Sequence, residues 1–205
     1  HIEMAFYFAD NVPKHVIGDA LRFKQVLTNL ISNAIKFTPD GEIIVRARME
    51  HGDIGQCLLH FSVQDSGIGL SGTDRKRLFE SFSQGDASVT RQFGGTGLGL
   101  AISKQLVHLM HGQIGFEDNQ ERAPTEKGST FWFTAMLTVN EDEEIVHPSF
   151  KNLNVVSFLA HPATANVLRH YLEDYQVQHT EAQSILDLFS RLNSLEKNTE
   201  NTWLI

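Results

Sequence analysis

The stretch "RQFGGTGLGLAISKQL", Arg91–Leu106, sets Gly94, Gly95, Gly97 and Gly99 within six residues, directly ahead of an apolar run. Glycine loses the most freedom on folding, so four so close together need a reason. Three fit: a flexible linker, a tight turn, or backbone that must approach a ligand. A helix that opens at such a loop offers unpaired N–H groups and the positive end of its dipole, which suits phosphate. The stretch alone does not choose among the three.

The bulk numbers narrow the field. The chain has 205 residues, 41% hydrophobic and 20% charged, which fits a globular protein of one large domain or one and a half ordinary ones. A net charge of −8 argues against a general nucleic-acid binder, so no nucleic-acid partner is expected. The single cysteine, Cys57, excludes an internal disulfide and sits among strand-core neighbours. No apolar run approaches a membrane span and no leader pattern opens the chain. The abrupt start at His1 and the apolar ending "TWLI" read as a fragment of something longer.

Upstream of the glycine loop, "EMAFYFAD" (3–10) reads as a strand. "GDALRFKQVLTNLISNAIKFT" follows as a helix, N-capped by Asp19, with Phe23, Val26, Leu27, Leu30, Ile31 and Ala34 on its buried face. "PDG" and "HGDIG" read as turns around the strand "EIIVRARME", in which Ile43, Val45, Ala47 and Met49 share a face. In "QCLLHFSVQD", Cys57, Leu59, Phe61 and Val63 alternate with Leu58, His60, Ser62 and Gln64, so the sheet should be covered on one face. "SGTDRKRLFESF" reads as a short helix opened by Ser71 and Asp74, and residues 83–96 as a long loop. "LGLAISKQLVHLMHG" is a helix whose core face should be Leu98, Ala101, Ile102, Leu106, Leu109 and Met110, ending at Gly112. The strands "QIGFED" and "STFWFTAML" come next. An acidic, aperiodic stretch, 140–150, reads as a linker. Beyond it a β-α-β-α-β pattern runs over 151–205.

Two further polar features stand out. Gln25, Asn29, Asn33 and Lys36 lie at i, i+4, i+8 and i+11 and form one stripe beside the buried face of the first helix. A solvated surface would look the same. Yet Asn is a mediocre helix former, and its amide can ligate Mg2+ or donate to phosphate. At the end of the "QCLLHFSVQD" strand, Asp65 is followed by Gly67 and Gly69. That is either a plain Asp–Ser–Gly turn or a carboxylate and open backbone set to receive a planar ring with an exocyclic amine.

These features occur in a fixed order within about 70 residues, and there the chain resembles the sensor histidine kinases. "NLISNAIKFT" (29–38) looks like their N box, "DSGIGL" (65–70) the G1 box, "FESF" (79–82) the F box, and "GGTGLGL" (94–100) the G2 box. The resemblance covers roughly residues 3–139 and implies an ATP-binding catalytic domain of the GHKL type. It implies an α/β Bergerat fold, a two-layer sandwich of mixed sheet covered by helices on one face. It implies ATP and Mg2+ as ligands. Asp65 would accept from the adenine amine, Gly67 and Gly69 would shape the adenine pocket, and Asn33 would hold Mg2+, with Asn29 and Lys36 near the phosphates. Phe79 and Phe82 would pack the base of a lid, 83–96, hinged at Gly94 and Gly95. Gly95, Thr96, Gly97, Leu98 and Gly99 would meet the phosphates. A phosphate contact and plain solvation both fit Arg91, and Arg75 is the other basic residue near by.

By the same resemblance, the reaction is transfer of the ATP γ-phosphoryl group to a histidine on a separate dimerisation domain. None of the ten histidines here has the expected acceptor context, and His108 and His111 read as surface or cap residues. No catalytic acceptor is therefore expected in this stretch. Residues 151–205 resemble the start of a response-regulator receiver, but Ala160 and His161 stand where its acidic pair would be, so the unit reads as truncated and degenerate. The arrangement is similar to hybrid sensor kinases of the GacS/BarA type. That implies downstream receiver or phosphotransfer domains or a response regulator as partners. It also implies a homodimer in the intact protein, and a cytoplasmic portion of an inner-membrane protein. Another GHKL ATPase and a nucleotide-binding pseudokinase are the competing readings. Ser81, Gly85 and Phe93 depart from common family residues without touching an expected ligand contact.

Overall fold

The computed structural model describes residues 1–53, 55–69, 78–80, 98–119, 127–139, 150, 153–195 and 202–204. The larger part comprises β1 (Ile2–Phe8), β2 (Val16–Ile17), α1 (Ala20–Phe37), β3 (Gly41–Asp53), β4 (Gln56–Asp65), α2 (Gly99–Leu109), β5 (Ile114–Asp118) and β6 (Ser129–Val139). Its strands form one sheet in the order β1-β3-β4-β6-β2, with β5 also on β6. β1 runs parallel to β3, and the other pairs are antiparallel, so the sheet is mixed.

Alternation along the strands decides which side is core. Ile43, Val45 and Ala47 of β3 share a face with Cys57, Leu59, Phe61 and Val63 of β4 and with Phe133 and Ala135 of β6. Val26, Leu30 and Ala34 of α1 and Val107 and Met110 of α2 close over that face. Phe23 meets Phe61 edge-on at 4.8 Å, and Phe61 stacks on Phe133 at 5.1 Å. Each large side chain buried this way contributes about 1.5–3 kcal/mol against exposure. Cys57 is buried as its neighbours imply, and burial pushes its thiol pKa up.

Several local readings need correction. The "HGDIG" stretch is not a turn from His51: β3 runs on to Asp53, with a register shift between Met49 and His51, and the chain reverses at Gly55. A bulge of this kind inserts a residue without ending the strand. Gly112 does not take the left-handed position after α2; His111 does, at φ 55°. His111 N–H donates to the His108 carbonyl and Gly112 N–H to that of Val107, the paired bonds of a Schellman ending. Gly112 is needed for another reason: a Cβ there would run into the Thr134 carbonyl oxygen. The buried face of α2 is Ala101, Ser103, Val107 and Met110, while Ile102 and Leu109 are exposed. Its buried face carries the polar Ser103 while its exposed face carries Ile102 and Leu109, so its period did not fix its orientation. Of "SGTDRKRLFESF", only Leu78–Glu80 are described, as a turn and bend; Ser71, Asp74 and the rest lie outside the described residues. The acidic stretch 140–149 lies outside them too.

The second part holds β7 (Asn154–Ser157), α3 (Pro162–Asp174), β8 (Gln178–Glu181), α4 (Ile185–Leu195) and β9 (Thr202–Leu204). Its sheet is parallel throughout, in the order β8-β7-β9.

Candidate functional site

The site begins where β4 ends. Phe61, Val63 and Asp65 share a face, so the alternation that buries the phenylalanine also delivers the carboxylate into the layer between sheet and helices. Asp65 is 3% exposed. Its Oδ1 accepts from the Gly67 N–H at 2.9 Å, and its Oδ2 accepts from the Ser129 hydroxyl at 2.6 Å. Burial nonetheless raises its pKa, and the bonds from Ser129 and Gly67 oppose that rise. A buried carboxylate is costly unless paired. Among the described residues, Asp65 has hydrogen-bond donors but no cation beside it.

The two glycines after it do different things. A Cβ on Gly67 would strike the Phe37 carbonyl, because this turn lies against the last residues of α1; Ile68 N–H donates to the same carbonyl at 3.1 Å. Gly69 stands at φ +70°, which only glycine adopts freely.

Helix α1 supplies the polar stripe. Asn29 is part-buried and donates from Nδ2 to Ser103 Oγ of α2 at 2.9 Å. Gly99, the first residue of α2, lies against the same amide, and a Cβ there would displace it. Asn33 and Lys36 follow along the helix, both half-buried, while Gln25 is exposed and plays no part. The Lys36 ammonium also lies 5.0 Å from the centroid of the Phe37 ring. The start of α2 differs from that of α1. Asp19 caps α1 by accepting from Arg22 N–H at 3.1 Å, whereas Leu98 gives α2 no side-chain cap. A helix start whose N-cap residue gives no side-chain cap has N–H groups that an external acceptor can meet.

The structure thus brings Asn29 and Gly99 together, and sets the C-terminal end of α1 against the Asp65–Gly67 turn. Phe79 is described as a half-buried turn residue. Phe82, Gly94, Gly95, Thr96, Gly97, Arg75, Arg91 and the 83–96 loop lie outside the described residues. His108 and His111 are exposed at the end of α2, as their reading supposed.

Three residues escaped sequence reasoning. Ser129 reaches Asp65 across the sheet, 64 residues on. Asn119, 2% exposed, donates to the Asp65 carbonyl at 3.0 Å and to that of Lys127 at 3.1 Å, and accepts from Thr130 Oγ1 at 2.7 Å. Ser66 N–H donates to the Glu42 carbonyl, and Ser66 Oγ accepts from Glu42 N–H at 2.9 Å. The bonds that Ser129 and Asn119 make to Asp65 knit the Asp65–Gly67 turn to the β5–β6 hairpin. The one local signal was Gly128, at φ +92°, packed on the Asp65 carbonyl.

A cavity of about 480 Å³ lies elsewhere, lined by Phe8, Val12, Pro13, Phe23, Phe61 and Leu137. It opens beside the first turn of α1. Asn33 is ten residues further along, roughly 15 Å at the helical rise. Lys14 and Asp19 also line it, but Asn29, Asn33, Lys36 and Asp65 do not.

The family model described as histidine kinase-, DNA gyrase B- and HSP90-like ATPase matches residues 18–139. The chain belongs to this ATPase family. The match starts just before α1 and ends with the last residue of β6, so it encloses the whole site. Sensor histidine kinase GacS of Pseudomonas protegens is 38% identical over 201 residues, covering 97% of this chain and 21% of that protein. Signal transduction histidine-protein kinase BarA of Shigella flexneri is 41% identical over 152 residues, covering 74% of this chain and 16% of that protein. The chain thus spans about a fifth of the length of such relatives. The crystal structure of full-length ShkA in complex with AMPPNP superposes with a TM-score of 0.72 at 27% identity, covering 92% of this chain and 37% of that one. The mixed α/β sheet layered with helices is the fold of that histidine kinase ATPase domain.

Proposed function

We propose that residues 1–139 are the ATP-binding catalytic domain of a hybrid sensor histidine kinase. The observation that carries this reading is Asp65: a buried carboxylate held at a strand end by the Gly67 N–H and the Ser129 hydroxyl, on the same side of the sheet as Asn29 and the start of α2. Asp65 accepts from the adenine amine, with Gly67 and Gly69 as the open backbone beneath the ring. The triphosphate runs toward Asn29, Asn33, Lys36 and the first N–H groups of α2 at Leu98 and Gly99. The residues Gly95, Thr96 and Gly97 belong to the same phosphate loop, and Phe79 and Phe82 to its base.

Mg2+ fits this donor set in one way. Among the described residues, no three His, Cys, Asp or Glu side chains gather into a metal cage. Asn33 offers a single amide oxygen, which suits a hard cation whose other ligands are phosphate and water. When bound, the ion neutralises phosphate charge. The chain's own contribution is placement: donors fixed before the reaction, aimed where negative charge gathers. The γ-phosphorus exchanges its bond to the β-phosphate oxygen for one to an imidazole nitrogen, and ADP leaves. That imidazole belongs to a dimerisation domain outside this chain.

Residues 151–205 are a degenerate receiver-like unit joined by an acidic linker, 140–150. The parallel β8-β7-β9 order supports this reading, and so does the absence of carboxylates at Ala160 and His161. Partners are the histidine-bearing domain and downstream receiver or phosphotransfer domains. The intact protein is a membrane-anchored homodimer with this part in the cytoplasm; among the described residues, no helix is long and apolar enough to cross a membrane.

The test uses γ-labelled ATP with Mg2+ and a supplied histidine-bearing dimerisation domain from a GacS-type relative. Acid-labile label should appear on the supplied domain only. Label on this chain instead, or AMPPNP titrations showing no binding, would defeat the reading.

A further inference from the structure

β1 is the last strand of the larger sheet, with β3 on one side and, among the described residues, no strand on the other. An edge strand leaves backbone N–H and C=O groups without strand partners, and proteins cover such edges. Ile2 and Met4 pack into the core with α1. Alternation therefore sends Glu3, Ala5 and Tyr7 to the opposite face.

Helix α3 lies on that opposite face. The Thr164 hydroxyl donates to the Glu3 carboxylate, and His161 Nδ1 is 3.5 Å from it. Ala163, 1% exposed, and Val167 pack on Ala5 and on Ile44 of β3, a small apolar cluster separate from the main core. The Tyr7 hydroxyl donates to the Asp174 carboxylate at 2.6 Å, and its ring stands edge-on to Tyr171 at 5.1 Å. Burial, then the Asp174 carboxylate, push the Tyr7 phenol well above its usual pKa.

Tyr171 does something more particular. Its hydroxyl accepts from the Phe8 N–H at 2.9 Å and donates toward the Phe6 carbonyl oxygen, 3.4 Å away. In a parallel pair, one residue of the neighbour takes the N–H of residue i+1 and gives its own N–H to the carbonyl of i−1. With Tyr7 as residue i, a single phenol hydroxyl plays both parts.

We propose that the outer face and free edge of β1 are an intramolecular docking surface for the Pro162–Asp174 helix, with Tyr171 standing in for a neighbouring strand. The second unit then acts on the ATPase part from the face away from α1, α2 and Asp65. This holds whether or not the kinase reading does, because it uses none of the nucleotide-facing residues. It also explains a pattern in β1 that the core leaves unexplained: a carboxylate, an alanine and a tyrosine in strict alternation.

The test is amide hydrogen exchange on the whole chain, with Tyr171→Phe and Ala163→Glu, alongside sedimentation. Tyr171→Phe keeps the ring and removes only the hydroxyl. The Phe8 amide should exchange at least about tenfold faster in it than in the wild type, while the β3 amides keep their rates. Ala163→Glu should speed Phe8 exchange and expose the Pro162–Asp174 amides together. Both variants should bind AMPPNP within about twofold of the wild type if the nucleotide reading holds, and melt cooperatively in any case. A Phe8 rate unchanged in Tyr171→Phe would overturn the proposal. So would a wild-type dimer whose Phe8 protection vanishes on dilution, since the covering helix would then come from a second copy.

Discussion

Replacing Asp65 by Asn separates the chemical role of the carboxylate from its structural one. In the ligand-free chain, the exchange loses little. Oδ1 still accepts from the Gly67 N–H, and the Ser129 hydroxyl can turn to accept from the new amide. It also removes a charge that burial disfavours. The sign of the pH effect follows. A carboxyl whose folded pKa is raised keeps its proton to higher pH in the native state than in the unfolded one. Wild-type stability therefore falls as pH rises from the ordinary value of 3.8 through the raised one, and is flat above it. The variant lacks that fall, so at neutral pH its ligand-free melting temperature should equal or exceed the wild type's. Nucleotide binding goes the other way. In the proposed site the adenine amine would meet an NH2, and turning the amide over would set that NH2 against the Gly67 N–H. A hydrogen bond to a charged acceptor contributes about 1.5–3 kcal/mol, so AMPPNP affinity should fall roughly 10- to 150-fold. Calorimetric titration with Mg2+ and scanning calorimetry without nucleotide, across about pH 4 to 8, measure both. Unchanged affinity, or a ligand-free melting temperature several degrees lower, would refute the reasoning.

Asn119→Ala strips partners from the Asp65 and Lys127 carbonyls and from Thr130 Oγ1, all at a buried position. We expect a loss of about 2–4 kcal/mol in denaturant unfolding, with weaker AMPPNP binding as the turn loosens. Thr38 is fully buried, and among the described residues nothing hydrogen-bonds its Oγ1. Thr38→Val should stabilise the fold by about 1 kcal/mol; a drop in melting temperature would show that the hydroxyl has a partner. Gly67→Ala drives a Cβ into the Phe37 carbonyl, so unfolding should come about 1–3 kcal/mol sooner and AMPPNP titration should show weaker binding.

Much of this protein was legible in its sequence, because the signals were local. Period-3.6 spacing fixed the buried face of α1, with Val26, Leu30 and Ala34 at its centre. Period-2 spacing fixed the inner face of β4 and carried Asp65 onto it. Asp19 marked a helix start for a reason that acts within three residues. The order of the glycine and asparagine stretches then pointed to the ATPase family. What the sequence left open depended on distant chain. In α2 the polar Ser103 faces inward and meets Asn29, 74 residues away, which the helix's own apolar pattern did not show. The support of Asp65 by Ser129 and Asn119 crosses 64 and 54 residues. Tyr171 reaches the edge of β1 across 163. Those contacts leave no periodic trace, because a hydrogen bond between strand ends or across two units constrains one residue at each end and nothing between.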